Sequence, residues 1–274
     1  MITTISPSTL SGKIQIPPSK SSMQRACAAA LLTPGTTIID NFGNSNDEQA
    51  AMSIITQLGA VINKVSNRMT VTSSDYIFHS AFSEKNTLVN CGESGLSMRM
   101  FAPIAALFNY NITFTGEGSI LKRPMNFFDE TFPALGVEIH SNQGKLPITI
   151  CGPLSTKAIK VDGSMSSQFL TGLLFAYAKA CKAPVSIMVK NLQSRPYIDL
   201  TISVLKHFGF RVSNENYETF TLHPRKPIPA HSIKYTVEGD WSNAAFLLIA
   251  GAVSGEIILK GTDLNSSQGD KNIM

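Results

Sequence analysis

The same local design returns along this chain at intervals of about 73 residues, and a repeat of that length limits the possible folds more than composition does. In four places Gly, Ser and a few polar residues lead directly into an apolar run of helical character: 19–25 into 26–32, 92–99 into 100–108, 163–168 into 169–180, and 239–243 into 244–253. Arg25 and Arg99 are 74 residues apart, Gly92 and Gly163 are 71 apart, and Gly163 and Gly239 are 76 apart. A second feature has the same period. Leu58-Gly59, Leu135-Gly136 and Phe208-Gly209 each close a helix-like stretch and open a strand-like one, since Gly past the last turn accepts the left-handed conformation that ends a helix. Lys122-Arg123-Pro124 and Ser194-Arg195-Pro196 each predict a helix start with Pro in the first turn. Each unit thus reads as an apolar helix, a strand, a Gly-capped second helix and further strands, which is an α/β repeat.

Hydrophobic residues at 43% and charged residues at 15% suit a folded chain rather than a disordered one, and 274 residues exceed a single core. The apolar stretch 169–180 is broken by Thr171 and Gly172 and falls short of the ~20 residues that span a bilayer, so no membrane segment is expected. Residues 1–10 lack a basic flank and an apolar run, so a cytoplasmic location is expected. Cys27, Cys91, Cys151 and Cys181 form no CxxC pair and read as reduced, buried thiols. His79, His140, His207, His223 and His231 show no HxxxH or HxH spacing, so no metal site is expected. A net charge of +4, with no basic run beyond Pro224-Arg225-Lys226-Pro227, argues against nucleic acid and for a small anionic ligand.

The first helix entrance, Pro17-Pro18-Ser19-Lys20-Ser21-Ser22-Met23-Gln24-Arg25, combines unpaired helix N–H groups with two cations. It lacks the glycines of a nucleotide-binding P-loop. Taken alone, it fits a capped surface helix as well as a phosphate site. At the second entrance Gly92, Gly95 and Arg99 repeat the pattern, with a missing Cβ that lets a ligand approach the backbone. Arg123 offers a fork for a phosphate or carboxylate. Ser166, Ser167 and Gln168 supply three neutral hydrogen-bonding groups at the third entrance, more than a helix cap requires, and Ser194 and Tyr197 add a hydroxyl and a phenol.

In this order the segments resemble the EPSP synthase (3-phosphoshikimate 1-carboxyvinyltransferase) family. The matching residues are Pro18-Ser19-Lys20-Ser21 with Arg25, Gly92 to Arg99, Gly116-Glu117 with Lys122-Arg123-Pro124, Val161 to Ser164 with Ser166 to Thr171, Ser194 to Asp199, and Val237 to Asp240. The resemblance covers essentially the whole chain. It implies an inside-out α/β barrel of βαβαββ units, with about four of the family's six present. Residues 1–18 and 237–274 would form part of a discontinuous first domain, and 19–236 a complete second domain of three units.

The implied reaction moves the enolpyruvyl group of phosphoenolpyruvate to the 5-hydroxyl of shikimate 3-phosphate through a tetrahedral intermediate, releasing phosphate without a metal or organic cofactor. By position, Ser21, Arg25, Ser166, Ser167, Ser194 and Tyr197 resemble shikimate 3-phosphate contacts, and Gly95 and Arg123 resemble phosphoenolpyruvate contacts. Lys20 and Gln168 resemble residues that touch both ligands. Lys20 is the one candidate proton donor, since a cationic cluster favours release of its proton. The expected partners are these two small molecules alone, with no nucleic acid or membrane, and the expected state is a monomer.

Two departures stand out. The family's common Asn-Ala-Gly-Thr reads Glu93-Ser94-Gly95-Leu96 here, and a carboxylate facing phosphoenolpyruvate would repel it unless paired with Lys20 or Arg123. The family's acidic base, a second carboxylate and several cations come from its C-terminal third and have no counterpart before Met274. Aligning Gly35 with Gly255 sets the helix at 47–59 opposite 267–279, so the chain is expected to stop inside a helix. A non-catalytic fragment that binds shikimate 3-phosphate is therefore one alternative. The related transferase acting on UDP-N-acetylglucosamine is another, although 116–124 lacks the reactive Cys of that enzyme's loop.

Overall fold

The computed structural model describes residues 3, 4, 6, 8–79, 86–226 and 232–274. Strand β1, Leu10–Gln15, leads into helix α1, Lys20–Leu32, followed by β2, Gly35–Asp40, α2, Asn46–Gln57, β3, Val61–Val65, and β4, Arg68–Ser73. After the short α3, Tyr76–His79, a second unit runs β5, Thr87–Asn90, α4, Gly95–Ala105, β6, Ile112–Thr115, α5, Asn126–Thr131, β7, Glu138–Ser141, and β8, Ile148–Cys151. The third comprises β9, Ile159–Asp162, α6, Ser167–Ala180, β10, Val185–Lys190, α7, Arg195–His207, β11, Arg211–Glu215, and β12, Thr219–His223. Strand β13, Ile233–Thr236, then precedes α8, Trp241–Ser254, and β14, Gly255–Lys260.

Three four-stranded sheets share one strand order: β13-β2-β4-β3, β5-β6-β8-β7 and β9-β10-β12-β11. In each, the first two strands are parallel and the other pairs antiparallel, which is the signature of a βαβαββ unit. The first sheet takes its opening strand from β13, which returns after the third unit and pairs Ile233 with Thr37. Gly59 and Gly209, with φ of 106° and 79°, end α2 and α7 as expected, and Gly136, with φ of 74°, ends a 3-10 turn, Pro133–Leu135, that follows α5.

The helices lie inside and the sheets outside. Ser22–Leu32 of α1 are buried throughout, as are most residues of α4 and α6, whereas strands such as β9 alternate buried with exposed residues. A helix apolar on all sides must be covered on all sides, and a strand with period two covers it with one face only. Gly172 lets α6 meet α4 closely, because a Cβ there would lie 2.7 Å from the Arg99 carbonyl oxygen. Strand β1 pairs in parallel with β14 in a separate two-stranded sheet, and Ile16, Trp241 and Ala244 form a small second core. This is the α/β repeat expected from the sequence period, in the inside-out arrangement that the family resemblance implies.

Local expectations fail in two places. Pro124 does not open a helix: it follows a 3-10 turn, Gly118–Lys122, and α5 starts only at Asn126. Where a helix is expected from 267, the structure has a 3-10 turn, Gly269–Ile273. The basic run at 224–227 serves packing, since Arg225 donates to Thr33 Oγ1 and the Phe208 carbonyl over the Phe210 ring, while Pro227 lies outside the described residues. All four cysteines are free thiols, with Cys27, Cys91 and Cys181 buried and Cys151 half-buried; burial pushes the Cys27 thiol up to about 12. Among the described residues no helix is long and apolar enough to cross a membrane.

Candidate active site

Because α1, α4 and α6 occupy equivalent places in equivalent units and pack side by side, their N-termini open on the same side. Each has a serine cap: Ser19 accepts from the Ser22 N–H at 3.3 Å, Ser94 from Ser97 at 3.2 Å, and Ser166 from Gln168 at 3.2 Å. Asp240 does the same for α8, accepting from the Asn243 N–H at 2.9 Å. These four entrances, with those of α2 and α7, line one cleft of about 890 Å³. Six helix N-termini around one hollow give it a positive field before any side chain is counted. The ten residues expected to touch the two ligands all line it, namely Lys20, Ser21, Arg25, Gly95, Arg123, Ser166, Ser167, Gln168, Ser194 and Tyr197, whereas Gly92 and Arg99 of the second entrance do not.

Arg25 is 1% exposed, and among the described residues no carboxylate pairs with it. Its guanidinium donates to Thr201 Oγ1 at 2.9 Å and to the carbonyls of Ser21 at 2.8 Å and Tyr197 at 3.3 Å, beside the Tyr197 ring. Burial pushes its pKa down to about 10, so the folded chain holds a cation at a cost that a bound anion would relieve. Ser194, at φ 54°, turns the chain into α7 without capping it by its side chain.

The α4 side is built differently. A Cβ on Gly95 would lie 2.7 Å from Arg123 Nη1 and 3.7 Å from Gln168 Oε1, so this glycine admits the two side chains as well as a ligand. Arg99 donates to Gln168 Oε1 at 3.0 Å, which orients the amide, and stacks on Phe169. Burial, reinforced by the charge of Arg123, lowers the Arg99 pKa. Glu93 accepts from the Ser119 N–H at 2.8 Å, and that bond, aided by the charge of Arg123, holds its carboxyl below the usual range.

The partner of Lys20 is an acid rather than a cluster of cations: its Nζ lies 2.8 Å from Asp47 Oδ2 in the first turn of α2. Asp240 reaches across to accept from the Lys20 N–H at 3.2 Å, so one carboxylate serves two helix entrances. Gln24 is buried, accepts from Ser94 Oγ at 3.1 Å and Ser97 Oγ at 2.9 Å, and ties α1 to α4. Asp47, Gln24 and Asp240 were not among the sequence candidates. The Ser45-to-Glu48 capping box was a readable sign that α2 also begins at the cleft. His140, His207 and His223 each bond elsewhere, to Glu138, the Lys234 carbonyl and Ser213; His231 and the His79 side chain lie outside the described residues.

A model of the family described as EPSP synthase (3-phosphoshikimate 1-carboxyvinyltransferase) matches residues 5–274. The chain belongs to the EPSP synthase family. Relatives named 3-phosphoshikimate 1-carboxyvinyltransferase include one from Clostridium beijerinckii, 37% identical over 273 residues, and one from Clostridium kluyveri, 35% identical over 270. Each match takes in 98% of this chain and 62% of the relative, so the chain spans less than two thirds of those proteins. EPSP synthase from Acinetobacter baumannii superposes with a TM-score of 0.77 at 23% identity, covering 95% of this chain and 57% of that one, and shares its fold.

Proposed function

We propose that this chain forms the shikimate 3-phosphate half of an enolpyruvyl transferase and that the whole protein moves the enolpyruvyl group of phosphoenolpyruvate to the 5-hydroxyl. The observation that carries the reading is Arg25, a buried cation that no carboxylate pairs with among the described residues, set in a cleft ringed by helix N-termini. Arg25, Ser21, Ser166, Ser167, Ser194 and Tyr197 hold the shikimate ester; Arg123 over Gly95 meets phosphoenolpyruvate; Lys20 and Gln168 face both. The 5-hydroxyl gives its proton to the acidic base that the family carries in its C-terminal third, and its oxygen bonds to the central carbon of phosphoenolpyruvate while the Lys20 ammonium gives a proton to the methylene carbon. Return of one methyl proton to the Lys20 amine, with phosphate leaving on the electrons of the C–O bond, then restores the double bond. Fixed cations and helix N–H groups stabilise charge that develops in that step without reorganising. On this reading 19–236 are one domain and 1–18 with 237–274 belong to another, which the separate β1–β14 sheet supports. The protein acts as a cytoplasmic monomer without a cofactor.

Calorimetric titration with shikimate 3-phosphate tests it. Saturable one-to-one binding that inorganic sulfate does not reproduce at the same concentration is the expected result. Absence of heat at millimolar ligand sinks the proposal.

A further inference from the structure

We infer that Glu93 is a positioning residue: from the lip of α4 it clamps the 3-10 turn Gly118–Lys122 and so sets Arg123 over Gly95. The inference rests on the reading of Arg123 given above. Glu93 is exposed and lines the cleft, yet its carboxylate turns away from an incoming anion and onto that turn. Its Oε2 accepts from the Ser119 N–H at 2.8 Å, one of the unpaired donors at the start of the turn. Gly118, at φ 56°, gives it room, since a Cβ there would lie 2.3 Å from Glu93 Oε2. Ser119 in turn accepts from Arg123 Nη2 at 3.4 Å. Two further bonds tie the same stretches together: the Glu117 N–H to the Gly92 carbonyl at 2.8 Å, and Asn90 Nδ2 to Glu117 Oε1 at 2.9 Å. Glu93 differs from these in adding a negative charge beside Arg123, which draws the guanidinium toward the lip. An acid in this position therefore favours a bound phosphate indirectly, by ordering the cation that meets it.

The test is titration of phosphoenolpyruvate into the chain saturated with shikimate 3-phosphate, for wild type, Glu93→Ala, Glu93→Gln, Arg123→Ala and the double variant Glu93→Ala/Arg123→Ala. Glu93→Ala should weaken phosphoenolpyruvate about threefold, less than the loss of Arg123 itself because Glu93 acts only through it, and leave the affinity for shikimate 3-phosphate unchanged. Glu93→Gln, which keeps an acceptor for Ser119 but not the charge beside Arg123, should recover only part of the loss. In the Arg123→Ala background the Glu93 change should add nothing, because a group acting through another is not additive with it. Equal losses for both ligands, or an undiminished Glu93 effect without Arg123, would overturn the inference. Hydrogen exchange at the Ser119 amide, read without ligand, separates this idea from the functional reading. Faster exchange in Glu93→Ala but not Glu93→Gln supports the clamp even in a chain that takes neither anion, and unchanged exchange removes it.

Discussion

Arg25 and Arg123 face one cleft and are held in opposite ways. The first is sealed inside, gripped by a hydroxyl and two carbonyls and paired with no acid among the described residues; the second is exposed, with a long contact to Ser119 and Glu93 close by. A sealed cation is ordered before its ligand arrives, so binding need not immobilise it, whereas an exposed arginine gives up rotamer freedom when it closes on a ligand. The α1 side of the cleft is thus a rigid receptor and the α4 side an adjustable one.

The largest effect should follow from Arg25→Ala. Removing one partner of a buried ionic contact costs about 2 kcal/mol or more, roughly 30-fold in affinity for shikimate 3-phosphate. Arg123→Ala should weaken phosphoenolpyruvate less, by about fivefold, since an exposed charge is screened. Calorimetry on both variants decides, and equal losses would erase the contrast. Thermal unfolding of Arg25→Met sharpens it: a buried charge without a counterion gives up water for little in return, so Tm should hold or rise while binding disappears. A sharp fall in Tm would mean that Arg25 is a structural bond rather than a waiting receptor.

The rigid side was the more legible in sequence. Ser19 to Arg25, Ser166 to Gln168 and Ser194 to Tyr197 stand at the starts of regular helices, and a repeat that fixes where helices start also fixes which residues share a cleft. The adjustable side was less so. Pro124 suggested a helix start, but the segment between β6 and β7 breaks into a 3-10 turn and a short helix, and only the folded chain puts Glu93 against Ser119. The return of β13 to the first sheet and the reach of Asp240 to Lys20 join residues nearly 200 or more positions apart and leave no periodic trace in the sequence.

Asp240 comes next in size. It caps α8 and also accepts from the first N–H of α1, so Asp240→Ala should lower stability by about 1–2 kcal/mol, while Asp240→Asn, itself a good cap, loses only a few tenths. Chemical denaturation compares the two. If both variants lose the same amount, the negative charge rather than the hydrogen-bonding shape matters, and α1 depends on α8 electrostatically.

The smallest stability effect belongs to Asp47→Asn, and it bears most directly on chemistry. The Lys20 and Asp47 side chains are 51% and 25% exposed, and ion pairs in such surroundings contribute less than about 1 kcal/mol, so Tm should scarcely change. The ammonium, however, loses the anchor that holds it at the mouth of α1. On the proposed chemistry, turnover by the whole protein should then fall while the affinity for shikimate 3-phosphate, set by the sealed side, stays the same. A drop in affinity with turnover intact would place Lys20 among the binding cations and leave the proton donor to be sought elsewhere.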